Sequence, residues 1–295
     1  MNVLVLGAGG LLGSNVVVAA RDRGHAVAGT YHSTRPAFDV PLARLDVRDR
    51  NAFGSLLDEH DPDAVVNCAA MTDVDACEAN PEEAFAVNGR APGRLAAICS
   101  DREVAFVHVS TDYVFDGTAD DPYDESSMPN PVQVYGESKL EGEYAVRDAY
   151  EEALLVRLSF VWGQHRSTDD LTGFPAWLRE RLAAGESTPL FTDQHVTPSR
   201  AGAAATTILD LLETDRSGTF HVVSRSCVTP HEFGTALCAR LGADETLLET
   251  GRQADVDRPA SRPRYTCLDV GKVETTLGRS QPTLEADLDA VSSLL

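Results

Sequence analysis

The chain has 295 residues, enough for one large α/β domain or for a nucleotide-binding domain carrying a smaller lobe. Its 46 acidic residues against 25 basic ones give a formal charge of -21, which argues against a general nucleic-acid binder because phosphates would be repelled. The acids are spread along the whole chain, and Lys139 and Lys272 are the only lysines among the bases, a balance that fits a solvated surface adapted to a saline cytosol.

The chain opens on the apolar run Val3-Leu4-Val5-Leu6, followed by Gly7-Ala8-Gly9-Gly10-Leu11-Leu12-Gly13 and an Ala/Val-rich segment to Ala20. This order predicts strand, tight turn, helix. Glycines at 7, 10 and 13 let the turn close, let backbone approach a pyrophosphate and let helix pack on strand, while the helix N-terminus offers N–H groups to the anion. Gly7, Gly10, Leu11, Leu12 and Gly13 are therefore candidate dinucleotide-binding residues.

His25 to Tyr31 predicts the second strand. No acid stands at its end to take a free ribose hydroxyl. Tyr31-His32-Ser33-Thr34-Arg35 supplies hydroxyls and a guanidinium instead, so Arg35 is expected to favour the 2'-phosphate of NADPH, with NADH as the alternative. Asp46 and Val47, at the end of a third short strand, are placed toward the adenine. Ala64 to Ala70 predicts a fourth strand covered on both faces, and its small Ala69-Ala70 ending leaves room for the cofactor. A helix follows between Pro81 and Cys99, with Asn88 facing either solvent or the site.

Val104 to Val109 predicts the fifth strand, running into Ser110-Thr111-Asp112-Tyr113. Hydroxyls at the carboxyl end of a central strand lie where open α/β sheets bind ligands. A proline-bearing loop then leads to Tyr135-Gly136-Glu137-Ser138-Lys139, which places a phenol and an ammonium one helical turn apart on one face. The lysine charge is expected to lower the phenol pKa toward the working pH, making Tyr135 a general acid or base; Thr111 is placed to hold the same carbonyl oxygen. Ala153 to Leu158 resumes the strand pattern. Alternating strands and helices predict a doubly wound parallel α/β sheet over 1–162. Residues 163–295 read mainly as a smaller, interleaved substrate lobe, part of which returns to the sheet. Within it, Arg258-Pro259-Ala260-Ser261-Arg262-Pro263-Arg264 is a local cationic cluster suited to a diphosphate.

Cys68, Cys77, Cys99, Cys227, Cys238 and Cys267 show no paired metal spacing and mostly sit in apolar runs, so they are expected to be reduced and largely buried thiols. Met1 leads straight into a strand-like run, and no apolar stretch approaches a membrane span. The expectation is a cytoplasmic protein without a membrane partner.

Taken together, the glycine turn, the hydroxyl after the fifth strand and Tyr135-x-x-x-Lys139 resemble the extended short-chain dehydrogenase/reductase superfamily. Ser110 to Gly117, Asn130 to Glu143 and Asp193-Gln194 with Thr197-Pro198 narrow the resemblance to the dTDP-4-dehydrorhamnose reductase family, over Met1 to roughly Asp269. The resemblance implies a Rossmann sheet and NAD(P)H-dependent reduction of the 4-keto group of a nucleotide-linked 6-deoxy sugar, in glycan precursor synthesis. Thr111, Tyr135 and Lys139 match the family's catalytic residues, with Tyr135 and Lys139 also meeting the cofactor, and Thr111, Asp112, Phe160 and Arg262 are expected on the substrate side. Phe160 stands where the family usually has tryptophan, with Trp162 two residues later. Tyr113 replaces the second acid that a sugar-nucleotide dehydratase carries, which disfavours dehydration. The alternatives are an epimerase with the same triad and a non-catalytic relative resembling the methionine adenosyltransferase regulatory subunit. No metal is assigned, and a homodimer is left open.

Overall fold

A computed structural model describes residues 1–295. The first half alternates β1 (Asn2–Leu6), α1 (Leu11–Asp22), β2 (Ala26–Tyr31), β3 (Leu42–Arg44), α2 (Arg50–His60), β4 (Ala64–Asn67), α3 (Val74–Ala79), α4 (Pro81–Ala84), a π-helical turn (Phe85–Arg90), α5 (Ala91–Ser100), β5 (Ala105–Thr111), α6 (Val134–Ala149) and β6 (Leu154–Leu158). The second half carries β7 (Val161–Gln164), β8 (Leu171–Thr172), α7 (Phe174–Ala183), β9 (Thr188–Phe191), β10 (Ser199–Arg200), α8 (Ala201–Glu213), β11 (Gly218–His221), α9 (Pro230–Leu241), β12 (Leu248–Gly251), α10 (Gly271–Leu277) and α11 (Leu284–Asp289).

Seven strands form one parallel sheet in the order β11-β6-β5-β4-β1-β2-β3. Successive side chains of a strand point to opposite faces, and β1 divides its residues accordingly. Val3 and Val5 join Val16, Val17 and Ile208 under α1 and α8. Leu4 and Leu6 join Phe53, Leu57, Leu95 and Val146 under α2, α5 and α6. Both faces are thus buried, which is why β4 is apolar to within one residue of its end. Each fully buried leucine, valine or phenylalanine contributes about 1.5–3 kcal/mol.

Local signals set the helix ends. Asp49 accepts from the N–H groups of Asn51 and Ala52 at 3.0 Å each to start α2. Thr229 and Glu232 make a reciprocal capping box at α9, with Pro230 in the first turn, and Gly242 ends that helix at φ +61°. A third core of Trp162, Leu178, Phe233 and Leu288 gathers β7, α7, α9 and α11 beside the carboxyl end of the sheet. No helix is long and apolar enough to cross a membrane.

The expectation of six reduced thiols needs correction. Cys227 and Cys267 form a disulfide with Cα atoms 5.5 Å apart, while Cys68, Cys77, Cys99 and Cys238 are free. Forty residues separate the two cysteines, and no spacing rule links them. They meet because the segment after β11 and the segment ending at Leu268 are both drawn against the loop around Val196 and Thr197, where Val196 pairs with Val228 and Thr197 accepts from the Leu268 N–H.

Candidate active site

The site lies at the carboxyl ends of β1, β4, β5 and β6, where an open parallel sheet forms its ligand crevice. Gly7 has φ +77°, a region that favours glycine. At Gly13 a Cβ would fall 2.2 Å from the Gly7 carbonyl oxygen, so α1 and the turn touch backbone to backbone. No side chain caps α1 at Gly10, which leaves its first N–H groups turned toward the cavity.

That cavity, of ≈ 470 Å³, brings Gly10, Leu11, Leu12 and Gly13 together with Ala70, Thr111, Asp112, Tyr135, Lys139 and Phe160. Continuing under the turn, a space of ≈ 320 Å³ is bounded by Gly7, Tyr31, Asp46, Val47, Ala69 and Ala70. Asp46 is held there by Arg48 at 2.6 Å, and that bond pulls its carboxyl down to about 2. Arg35 is exposed and lines neither space.

Thr111 and Tyr135 meet because α6 starts directly against the turn after β5. Gln133 caps α6 by accepting from the Gly136 N–H at 2.6 Å. At Gly136 a Cβ would lie 2.0 Å from the Tyr113 carbonyl oxygen, so only glycine lets the Asp112–Val114 turn rest there. One turn on, Lys139 is 2 % exposed and donates from Nζ to the Val109 carbonyl at 2.6 Å. Burial lowers its pKa to about 8 against the opposing charge of Glu143.

The expected lowering of the Tyr135 phenol is not what this site does. Burial pushes the phenol above its ordinary value, with the Thr111 hydroxyl pulling the other way. The Lys139 ammonium is engaged by Val109 and partly offset by Glu143, so its charge does not prevail. Asp112 is buried, accepts from Ser159 Oγ at 2.7 Å and from Thr111 Oγ1 at 3.1 Å, and is nevertheless pushed up to about 6 by desolvation. Tyr113 is pushed up to about 12 by burial and then by Asp112.

Asn88, which the sequence leaves between solvent and site, is buried. The extra residue per turn at Phe85–Arg90 swings it inward, where it binds both the N–H (2.8 Å) and the carbonyl (2.9 Å) of Met71 and reaches Ser138 Oγ at 3.2 Å. It thereby ties the loop after β4 to α6.

Tyr113 and Phe160 form the threshold to a second cavity of ≈ 540 Å³ in the C-terminal lobe. Phe160 sits at φ +44° and packs on Phe174 with ring centroids 5.6 Å apart. Trp162, by contrast, is fully buried against Phe233 at 5.4 Å and lines neither cavity. Arg181, Arg252, Arg258 and Arg262 converge on the second cavity with Trp177 and Phe191. Arg262 is committed to Asp75 of α3, whereas Arg258 lies over the Phe191 ring at 4.9 Å and forms no ion pair. Arg252, Trp177 and Phe191 escape sequence reading as site residues because they come from three segments, after β12, in α7 and in β9, whereas Arg258 belongs to the arginine cluster that the sequence does single out.

A dinucleotide fits this donor set: an uncapped helix start, a turn closed backbone to backbone at Gly7 and Gly13, and two alanines flooring the adjoining space. The profile of the RmlD substrate binding domain matches residues 1–294. A probable low-salt glycan biosynthesis reductase, Agl14, of Haloferax volcanii is 58% identical, with 99% of this chain and 98% of that protein covered. A dTDP-4-keto-6-deoxy-D-glucose reductase of Streptomyces niveus is 35% identical over 90% of this chain and 87% of its own length. Among solved structures, a Bacillus anthracis dTDP-4-dehydrorhamnose reductase in complex with NADP shares the fold, with a TM-score of 0.85, 23% identity, and coverage of 98% and 97%.

Proposed function

The chain belongs to the RmlD substrate-binding family, and from that premise we propose that it reduces the 4-keto group of a nucleotide-linked 6-deoxy sugar with NADPH, in the synthesis of a glycan precursor. The observation that carries this reading is the junction of two cavities. One joins the glycine turn to Thr111, Tyr135 and Lys139, the other is ringed by arginines, and Tyr113 and Phe160 stand in both.

The chemistry a bound nicotinamide supplies is a hydride for the carbonyl carbon. The chain's own residues do the rest. Gly10 to Gly13 and the start of α1 receive the pyrophosphate, Ala69, Ala70, Asp46 and Val47 bound the adenine end, and Arg35 meets the 2'-phosphate from the exposed rim. Tyr135 gives its phenolic proton to the carbonyl oxygen as that oxygen becomes a hydroxyl, and Thr111 holds the oxygen in line. A phenol kept protonated by burial suits the direction of reduction, since the group must arrive carrying its proton. Lys139 lies one helical turn from the phenolate left behind, and its Nζ carries N–H donors in either protonation state. Asp112 accepts from the Thr111 hydroxyl until the substrate oxygen takes over that hydrogen bond, Phe160 packs on the sugar, and Arg258 and Arg252, the arginines of the second cavity without an ion pair, take the diphosphate.

The test is NADPH oxidation by purified protein in high KCl with a dTDP-4-keto-6-deoxy sugar generated in the same tube. Wild-type turnover that Tyr135→Phe abolishes, with cofactor binding retained, is the expected result. Retained turnover in that variant removes the proton-donor role. Tight NADPH binding without turnover on any keto sugar removes the reductase reading.

A further inference from the structure

His108 sits in the middle of β5, fully buried, between two polar neighbours. Asn67 of β4 reaches it from one side, with Nδ2 at 3.1 Å from His108 Nδ1. The amide cannot be turned round, because its Oδ1 accepts from the Ala69 N–H at 3.1 Å. Asn67 therefore donates and His108 Nδ1 accepts, which leaves the proton of the neutral ring on Nε2. On the other side, Nε2 lies 3.4 Å from Lys139 Nζ. An N–H facing an ammonium is an unfavourable pairing, whereas the same N–H facing a neutral amine finds an acceptor.

We propose that His108, locked in one tautomer by Asn67, is a positioning residue that biases Lys139 toward its neutral amine and aims its Nζ along β5. The proposal concerns the protonation of one side chain and makes no assumption about the substrate. The ring itself stays neutral, since burial and then the Lys139 charge hold its pKa well below the ordinary histidine value. Other groups facing Lys139 do not duplicate the effect. Glu143 of α6 favours the ammonium, though both its oxygens are occupied by Arg157 of β6 at 2.7 and 2.9 Å. Cys68, beyond β4, is a neutral thiol pushed up to about 12 by burial. Tyr135 on the same helix is protonated, and the Gly10-Leu11-Leu12-Gly13 turn carries no titratable side chain.

A chain with two lysines allows a direct test. Protein labelled with 13C at the lysine ε-carbon gives two signals, and Lys272→Arg identifies the one from Lys139. In wild type that signal is expected to titrate below the ordinary lysine range, near 8. In His108→Phe the midpoint moves upward by about one pH unit, toward the ordinary lysine range. Should that variant not fold, Asn67→Ser releases the tautomer lock, lets a bare Nε2 turn to Nζ, and gives a rise in the same direction. A midpoint that stays in place or falls in the folded variant overturns the proposal. Because the signal is read without turnover, its failure is separate from any failure of the reductase reading.

Discussion

Arg262 donates from Nη2 to Asp75 Oδ2 at 3.1 Å, while Asp75 Oδ1 accepts from the Ala260 N–H at the same distance. One carboxylate on α3 therefore holds the arm that carries the C-terminal arginines over the mouth of the second cavity. Arg262 is spent on this latch and Arg181 is paired with Glu186, which leaves Arg258 and Arg252 as the guanidiniums of that cavity free to face a ligand.

Arg258→Ala is accordingly expected to raise KM for the nucleotide sugar by roughly 10- to 100-fold, the loss of one charge-assisted contact, with kcat changed only a few-fold. Steady-state kinetics over a range of sugar concentrations checks this. An unchanged KM would show that the diphosphate is met elsewhere.

Asp112 makes stability depend on pH in a defined direction. Its carboxyl is raised from 3.8 to about 6 in the fold, so the folded state holds its proton longer than the unfolded chain does. The penalty is absent below the lower value, grows as pH rises through the interval, and is complete above about 6, where it amounts to on the order of 3 kcal/mol. Urea unfolding of wild type and Asp112→Asn at pH ~4.5, low in that interval, and at pH ~7.5, above it, should show the variant gaining on wild type at the higher pH. A constant difference between them would place the desolvation cost elsewhere.

The Cys227–Cys267 bridge closes a 40-residue separation. Chain-entropy reasoning assigns a loop of that size about 4 kcal/mol. Cys227→Ser should lower the unfolding free energy read from a urea titration by an amount of that order, and thiol counting on denatured wild type should find four free cysteines.

Much of the architecture was legible because it is written in short periods. The apolar runs of β1, β4 and β6 each report burial locally. That Thr111, Tyr135 and Lys139 would meet in one cavity was legible for the same reason, their placement being fixed by one strand end and one helical turn. What was hidden depends on distant segments. Cys227 and Cys267 carry no spacing signal, Arg262 takes its role from Asp75, and Trp162 turns into the third core although it lies two residues from Phe160. His108 was hidden differently: inside a strand it reads as one polar residue among valines, and only the placement of Asn67 and Lys139 on either side gives it work. The Tyr135 phenol was misjudged in sign because sequence shows the neighbouring charge but not the depth of burial.

The formal charge of -21 leads to a salt prediction. With 46 acids repelling one another, screening should stabilise the fold. Thermal midpoints are expected to rise from low salt to molar KCl, and a flat or falling series would count against an adapted surface.

The strand Gly218–His221 lies at the edge of the main sheet, parallel to β6 and some sixty residues after it. During synthesis, β6 therefore emerges with one edge unpaired and must wait while β7 to α8 are made before its partner leaves the ribosome. Ala204, Ala205 and Ile208 of α8, which cover Val156 and Phe220, arrive in that same interval. A chain interrupted after residue 162 would expose both an open β edge and the apolar floor that α8 normally roofs, so such a fragment is expected to aggregate when expressed alone.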